Sequence, residues 1–151
     1  MDAKDTVDTL NELIEISKDG EYGFRTSAEH AQDASLRQLL RRSAAECAQA
    51  ARELQDEVEA LGGEAEDGGS AAGTMHRGWV SVKAKLSTYS DREILEEIER
   101  GEDKALNRYL QAAESQLPAP ALSIVLRQLE GVRRNHDQFR QLRDEATESG
   151  E

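Results

Sequence analysis

Three ionisable side chains occupy positions where a helical bundle normally buries apolar residues. Glu21 interrupts an apolar stripe whose members recur every three or four residues, and Glu102 and His136 interrupt two later stripes of the same kind. A carboxylate in a core is costly unless a metal ion, a proton, a cation or a hydrogen-bonding group meets it. The sequence therefore predicts a buried polar layer whose chemistry depends on what meets these groups.

The stripe that contains Glu21 predicts a long first helix, from about Asp2 or Asp5 to about Gln32. Its apolar positions keep their phase across Ser17-Lys18-Asp19-Gly20, a segment that elsewhere would form a turn. No proline interrupts the stripe, so we expect one continuous helix. The remaining core positions of this helix are Val7, Leu10, Ile14, Ser17, Phe24, Ala28 and Ala31.

A second helix follows a short connection and leads into a long crossover. Asp33 or Ser35 caps this helix, and Gly62-Gly63 ends it after Leu61. The crossover covers about 62–90 and begins with small and polar residues. Its second half carries a short extra helix with one apolar face, formed by Met75, Trp79, Val82 and Leu86.

Two further helices complete the chain. Ser90 or Asp91 caps the third, and a proline-containing turn at 117–120 separates it from the fourth. The fourth helix frays in a tail at about 145–151. The core stripe of the third helix includes Leu95, Ile98, Glu102, Ala105, Tyr109 and Ala112, and that of the fourth includes Leu122, Val125, Leu129, Val132, His136 and Phe139.

The composition and the connection lengths together predict an all-α fold. Charged residues make up 33% of the chain and aromatic residues only 4%, which is typical of helical bundles. Short connections produce antiparallel hairpins, whereas the long crossover can span the whole bundle. We therefore expect a ferritin-like four-helix bundle with one crossover, forming a single domain over 1–151.

The rise of an α-helix, about 1.5 Å per residue, allows the heights of the polar residues to be compared. With the crossover, one height is shared by Glu21, Glu46 or its neighbour Cys47, Glu102 and His136. A simple up-down-up-down topology would instead bring Asn107 or Arg108 and Glu130 to this level, and these are not core positions. The coincidence favours the crossover and one polar layer.

Carboxylates and an imidazole at one depth resemble the inward-facing ligands of di-iron and di-manganese bundles, so iron or manganese is one candidate partner. Such bundles use a Glu-x-x-His motif, which this chain lacks: Gln49 stands three residues after Glu46, and Arg133 stands three residues before His136. The candidate metal ligands are Glu21, Glu102 and His136, with Glu46 and Glu99 as further candidates.

The alternative is a metal-free layer that only fixes helix register. In that hypothesis His136 lies hydrogen-bonded between carboxylates, and Tyr109 or an arginine closes the network. The protein would then be a structural or interaction module that associates with itself or with a partner. Enzymatic hydrolysis or transfer has no motif to support it, since the chain has no phosphate-binding glycine loop, nucleophile elbow or paired-cysteine motif. Whether the protein is an enzyme stays open.

Charge and hydropathy exclude other function classes. With 19 basic and 31 acidic residues the chain has a formal net charge of −12, which disfavours nucleic acid as a partner and favours cations. No apolar run is long enough to span a bilayer, and the first residues do not resemble a signal peptide. A single cysteine excludes an internal disulfide framework, so we expect a cytoplasmic protein.

Several motifs together resemble a family of small bacterial ferritin-like four-helix-bundle proteins of unknown function. They are Leu10-Asn11-Glu12-Leu13-Ile14-Glu15, Asp19-Gly20-Glu21-Tyr22-Gly23-Phe24, Ala28-Glu29, Leu61-Gly62-Gly63, His76-Arg77-Gly78-Trp79, Glu99-Arg100-Gly101-Glu102-Asp103 and Asn135-His136-Asp137. The resemblance spans roughly Val7 to Leu142. It implies a ferritin-like fold and a bacterial origin, and it suggests iron handling or a role in stress. It supplies no activity, since fold does not carry function.

Overall fold

Four long helices make up the described part of the chain. A computed structural model describes residues 1–66 and 85–148. The helices are α1 (Ala3–His30), α2 (Ala34–Ala60), α3 (Asp91–Ala113) and α4 (Ala119–Glu148). No strand is present in the described ranges. The prediction of a continuous first helix through Gly20 is confirmed. None of the described helices is both long and apolar enough to cross a membrane.

Polar side chains define the starts of the first three helices. Asp2, Asp33 and Ser90 each accept a hydrogen bond from a main-chain N–H in the first turn of α1, α2 and α3. The Glu93 carboxylate accepts a hydrogen bond from the main-chain N–H of Ser90, which completes a capping box. After α2, Gly62 adopts a positive φ of 79°, a conformation that glycine accepts without strain. Local sequence therefore sets these boundaries.

The directions of the helices establish a crossover between α2 and α3. Asp91, the first residue of α3, accepts bonds from the main-chain N–H groups of Gln32 (2.8 Å) and Asp33 (2.9 Å). Further along α3, Arg108 forms a 2.7 Å ion pair with Glu12, near the start of α1. Helix α3 is therefore antiparallel to α1 and parallel to α2, so the chain must cross the bundle between them. The predicted extra helix with Met75, Trp79 and Val82 lies outside the described residues.

The core consists of two apolar clusters. One cluster contains Phe24, which stacks on Phe139 with ring centroids 5.4 Å apart, together with residues such as Leu40 and Ile98. The other cluster lies towards the start of α1 and is built around residues such as Leu10, Leu54 and Val125. Of the residues predicted to form the polar layer, Glu46, Cys47 and Glu102 lie in the zone where these clusters meet.

Candidate functional site

A cavity of about 390 Å³ lies in this zone and is lined by residues of all four helices. Most of its wall is apolar, with contributions from Ile16, Phe24, Ile98, Ala105 and Val132. Cavities of this size and character are typical of small-molecule sites, which usually combine an apolar wall with a few placed polar groups. The polar groups in this wall are therefore the candidate functional residues.

Glu102 on α3 is the most buried carboxylate that faces the cavity. Only 7% of the residue is exposed, and it forms no hydrogen bond or ion pair with any residue in the described part of the chain. Burial, with smaller contributions from the charges of Asp103 and Glu46, raises the pKa of Glu102 to about 8. This carboxyl therefore holds its proton to a higher pH than an exposed glutamate does.

Cys47 forms the neighbouring part of the wall, opposite Gly20 on α1. A Cβ atom at Gly20 would lie 2.9 Å from Cys47 Sγ, so the missing side chain is what makes room for the thiol. Burial raises the pKa of the Cys47 thiol, and four carboxylates raise it further: Glu102, Glu46, Glu21 and Asp19. The thiol is therefore not a reactive nucleophile.

Glu46 also lines the cavity, at an exposed position on α2. Its carboxylate accepts a 3.1 Å hydrogen bond from the side-chain amide of Asn135 and lies 3.8 Å from the guanidinium of Arg42. The structure thus brings Glu46 and Glu102 to one cavity, as the comparison of heights predicted. Unlike Glu102, however, Glu46 has polar partners.

The other two carboxylates of the predicted ligand set are paired with arginines. Glu21 forms a 3.2 Å ion pair with Arg25 one turn along α1, and its side chain is 29% exposed. Glu99 pairs with Arg143 across the interface between α3 and α4. Neither Glu21 nor Glu99 lines the cavity.

His136 is buried as predicted, but both of its ring nitrogens face other carboxylates. Nε2 lies 2.5 Å from an oxygen of Asp103, and Nδ1 lies 3.6 Å from an oxygen of Asp137. Neither His136 nor Asp103 lines the cavity. The structure pairs His136 with Asp103 and not with Glu21 or Glu102.

These pairings bear on whether a resident metal centre fits. A di-iron or di-manganese centre in a bundle needs several carboxylates and histidines that converge on the ions. Among the described residues, no group of three His, Cys, Asp or Glu side chains could hold a metal ion. As arranged here, the five predicted ligands therefore do not form the ligand set of a di-metal centre.

A hydrogen-bonded network joins all four helices beside the cavity. Tyr109, 2% exposed, lies 3.2 Å from Ser17 Oγ and donates a 2.7 Å bond to Gln128. Gln128 in turn donates to Glu53 at 2.8 Å and to the main-chain carbonyl of Ala50 at 3.3 Å. Sequence reasoning proposed Tyr109 for a network but missed Gln128 and Glu53, which stand on the polar side of their helices and carry no periodicity signal.

The crossover, the two antiparallel hairpins and the inward-facing carboxylate define a ferritin-like four-helix bundle. Within this class the chain belongs to the family described as Domain of unknown function (DUF2383), whose model matches residues 5–115. Among solved structures it is similar to the bacterioferritin-related protein from Bacteroides fragilis, described as a dodecameric thioferritin. The TM-score is 0.78 at 16% identity, and the match covers 99% of this chain and 91% of that chain. None of the curated proteins compared with the chain matches it.

Proposed function

We propose that this protein is a ferritin-like binding module that holds a cation in the cavity between its helices, with Glu102 as the anchoring carboxylate. The observation that carries the proposal is a buried carboxyl group that faces a cavity and has no partner in the described residues. A buried polar group without a partner destabilises a protein by about 1–3 kcal/mol, so a ligand that supplies the partner is favoured.

The sign of the charge on the ligand follows from the residues around the cavity. Four carboxylates act on the Cys47 thiol in its wall, and the chain as a whole carries a formal charge of −12. Three basic residues also line the cavity, Lys104, Arg127 and Arg134; all three stand at exposed positions, and Arg127 is held by Glu53 at 2.8 Å. Because these bases stand at exposed positions whereas Glu102 is buried, the buried part of the cavity favours a positively charged ligand.

Iron or manganese is one candidate for this cation. The similarity of fold to a thioferritin supports a metal, and Glu102 and Glu46 would be the first ligands. The pairing of Glu21, Glu99 and His136 with other side chains weighs against a di-metal centre. A metal ion and an organic cation should differ in their binding to this cavity, so the same experiment tests both.

Calorimetric titration of chelator-treated protein tests cation binding. Mn²⁺, Fe²⁺ under anaerobic conditions and hexylammonium are titrated into the wild-type protein and into a Glu102→Gln variant. We expect saturable binding of at least one cation to the wild type and its loss in the variant. Glu96→Gln, which changes an exposed carboxylate on the same helix, is the matched control. If none of the three cations binds, the proposal is wrong.

The second candidate function is a metal-free structural module that associates with itself. It is favoured by the Tyr109 network, which fixes the register of all four helices without an ion. The structurally similar thioferritin is described as dodecameric, and we propose self-association for this chain as well. Sedimentation velocity would then give a mass several times the 16.7 kDa of one chain, whereas a single species at 16.7 kDa would exclude stable assembly.

A further inference from the structure

We propose that the cavity is an organic-amine site, in which an alkyl or aryl body fills the apolar wall and a positively charged ammonium group pairs with the Glu102 carboxylate. This inference rests on the proposed cation-binding function and names the class of the ligand. It differs from the metal binding that the fold suggests, since the ligand needs a body as well as a charge.

The volume of the cavity is the first reason. A metal ion with its ligands fills little space, whereas a cavity of about 390 Å³ falls within the usual range of sites for small organic molecules. The apolar side chains Ile16, Phe24 and Ile98 in its wall cannot coordinate an ion, but they can cover the hydrocarbon part of an amine.

The position of Glu102 is the second reason. The residue is more than nine-tenths buried, faces the cavity and lacks a hydrogen-bonding partner within the described residues. An ammonium group donates up to three hydrogen bonds and carries the complementary charge, so it satisfies the carboxylate with a charge-assisted bond. One carboxylate suffices for this pairing, whereas a divalent metal requires several convergent ligands.

The remaining charges decide between an amine and an acid as ligand. Lys104 and Arg134 also line the cavity, and both stand at exposed positions. An anionic ligand would have to place its head group among these exposed bases and leave Glu102 without a partner. A cationic head group satisfies the buried carboxyl and meets the charges of Glu46 and Asp19 on the same wall.

Three six-carbon probes that differ only in the head group test the inference: hexylammonium, hexanol and hexanoate. Calorimetric titrations at pH 7 should show that hexylammonium binds roughly 10- to 100-fold more tightly than hexanol, as expected for a hydrogen bond to a charged group. Affinity should also rise about fourfold with each methylene from propyl- to hexylammonium, because each buried methylene adds a similar increment.

Variants separate the two parts of the site. Glu102→Gln should abolish the preference for hexylammonium over hexanol, and Glu96→Gln on the exposed face of α3 should keep it. Ala105→Leu should fill part of the cavity and weaken the binding of all three probes, although Glu102 is unchanged. Far-UV circular dichroism and unfolding curves test whether each variant is folded. If Ala105→Leu does not fold, Ala50→Leu is a second substitution that fills part of the cavity.

The possible results distinguish this inference from the broader proposal. Binding of Mn²⁺ that depends on Glu102, without binding of hexylammonium, would overturn the organic-amine site but keep cation binding. Equal affinity for hexanol and hexylammonium, or tighter binding of hexanoate, would also overturn it. If neither metal ions nor amines bind, both proposals are wrong.

Discussion

Replacing Glu102 by glutamine should remove a large part of the pH dependence of folding stability. The pKa of Glu102 is raised to about 8 in the folded protein from an ordinary value of 4.5, mainly by burial. Because the folded state holds the proton more tightly than the unfolded state, proton binding by this carboxyl stabilises the fold. This contribution to the free energy of unfolding is fully present below pH 4.5 and is lost as the pH rises to about 8. The stability of the wild type should therefore fall across this window.

The size of the effect follows from the two pKa values. At 1.36 kcal/mol per pH unit, the raised pKa of Glu102 lowers the free energy of unfolding by about 4 kcal/mol between pH 5 and pH 9. Glutamine has a similar shape and cannot ionise, so the Glu102→Gln variant lacks this contribution. The two proteins should have similar stability at pH 5, and the variant should be the more stable one at pH 9.

Urea unfolding curves measured by circular dichroism at pH 5, 6, 7, 8 and 9 provide the assay. The difference in free energy of unfolding between wild type and variant isolates Glu102, since all other titrating groups are common to both. The control Glu96→Gln removes an exposed carboxylate 3.7 Å from Arg92 and should change stability by less than about 1 kcal/mol throughout. A difference for Glu102→Gln that stays constant from pH 5 to pH 9 would refute the reasoning.

Four further single substitutions and one double variant can be checked by urea unfolding at pH 7. Asp91→Ala should destabilise by about 1–3 kcal/mol, because two main-chain N–H groups lose their acceptor; an unchanged midpoint would contradict this role. Tyr109→Phe should cost about 1–2 kcal/mol through its two hydrogen bonds, and a neutral result would show that the network adds no stability. Gly20→Ala should destabilise the protein, because the new Cβ atom would lie 2.9 Å from Cys47 Sγ, and adding Cys47→Ala should relieve this contact. Gly101→Ala places a Cβ atom where no atom lies within 4 Å and should stabilise the helix by about 0.5–1 kcal/mol.

The fold could be predicted from the sequence because its signals are periodic or local. The apolar phase across Gly20 predicted one continuous helix, and each of the caps Asp33 and Ser90 is one of two candidates that residue type and position indicated. The long connection between α2 and α3 predicted a crossover. The comparison of heights along the helices then predicted that Glu102 lies at the level of Glu46 or its neighbour Cys47, and all three residues line one cavity.

The partners of the polar side chains could not be predicted in the same way. Periodicity tells which face of a helix a residue occupies, but it does not tell which way a long flexible side chain turns. Glu21 lies on the core stripe, yet its carboxylate reaches Arg25 one turn away. His136 is buried, yet its ring meets Asp103, an exposed residue that no stripe contains. Metal ligation depends on these side-chain directions, so it was the least predictable feature.

The contrast between Glu102 and the other acids shows where function is to be sought. Glu21, Glu46 and Glu99 each have a basic or amide partner within the described structure. Glu102 is more buried than these three, borders a cavity and lacks such a partner. A leucine at this position would suit the stability of an apolar core better, because it has no charge to desolvate. Stability alone therefore does not explain a carboxyl at position 102, whereas the cation binding that we propose gives it a role.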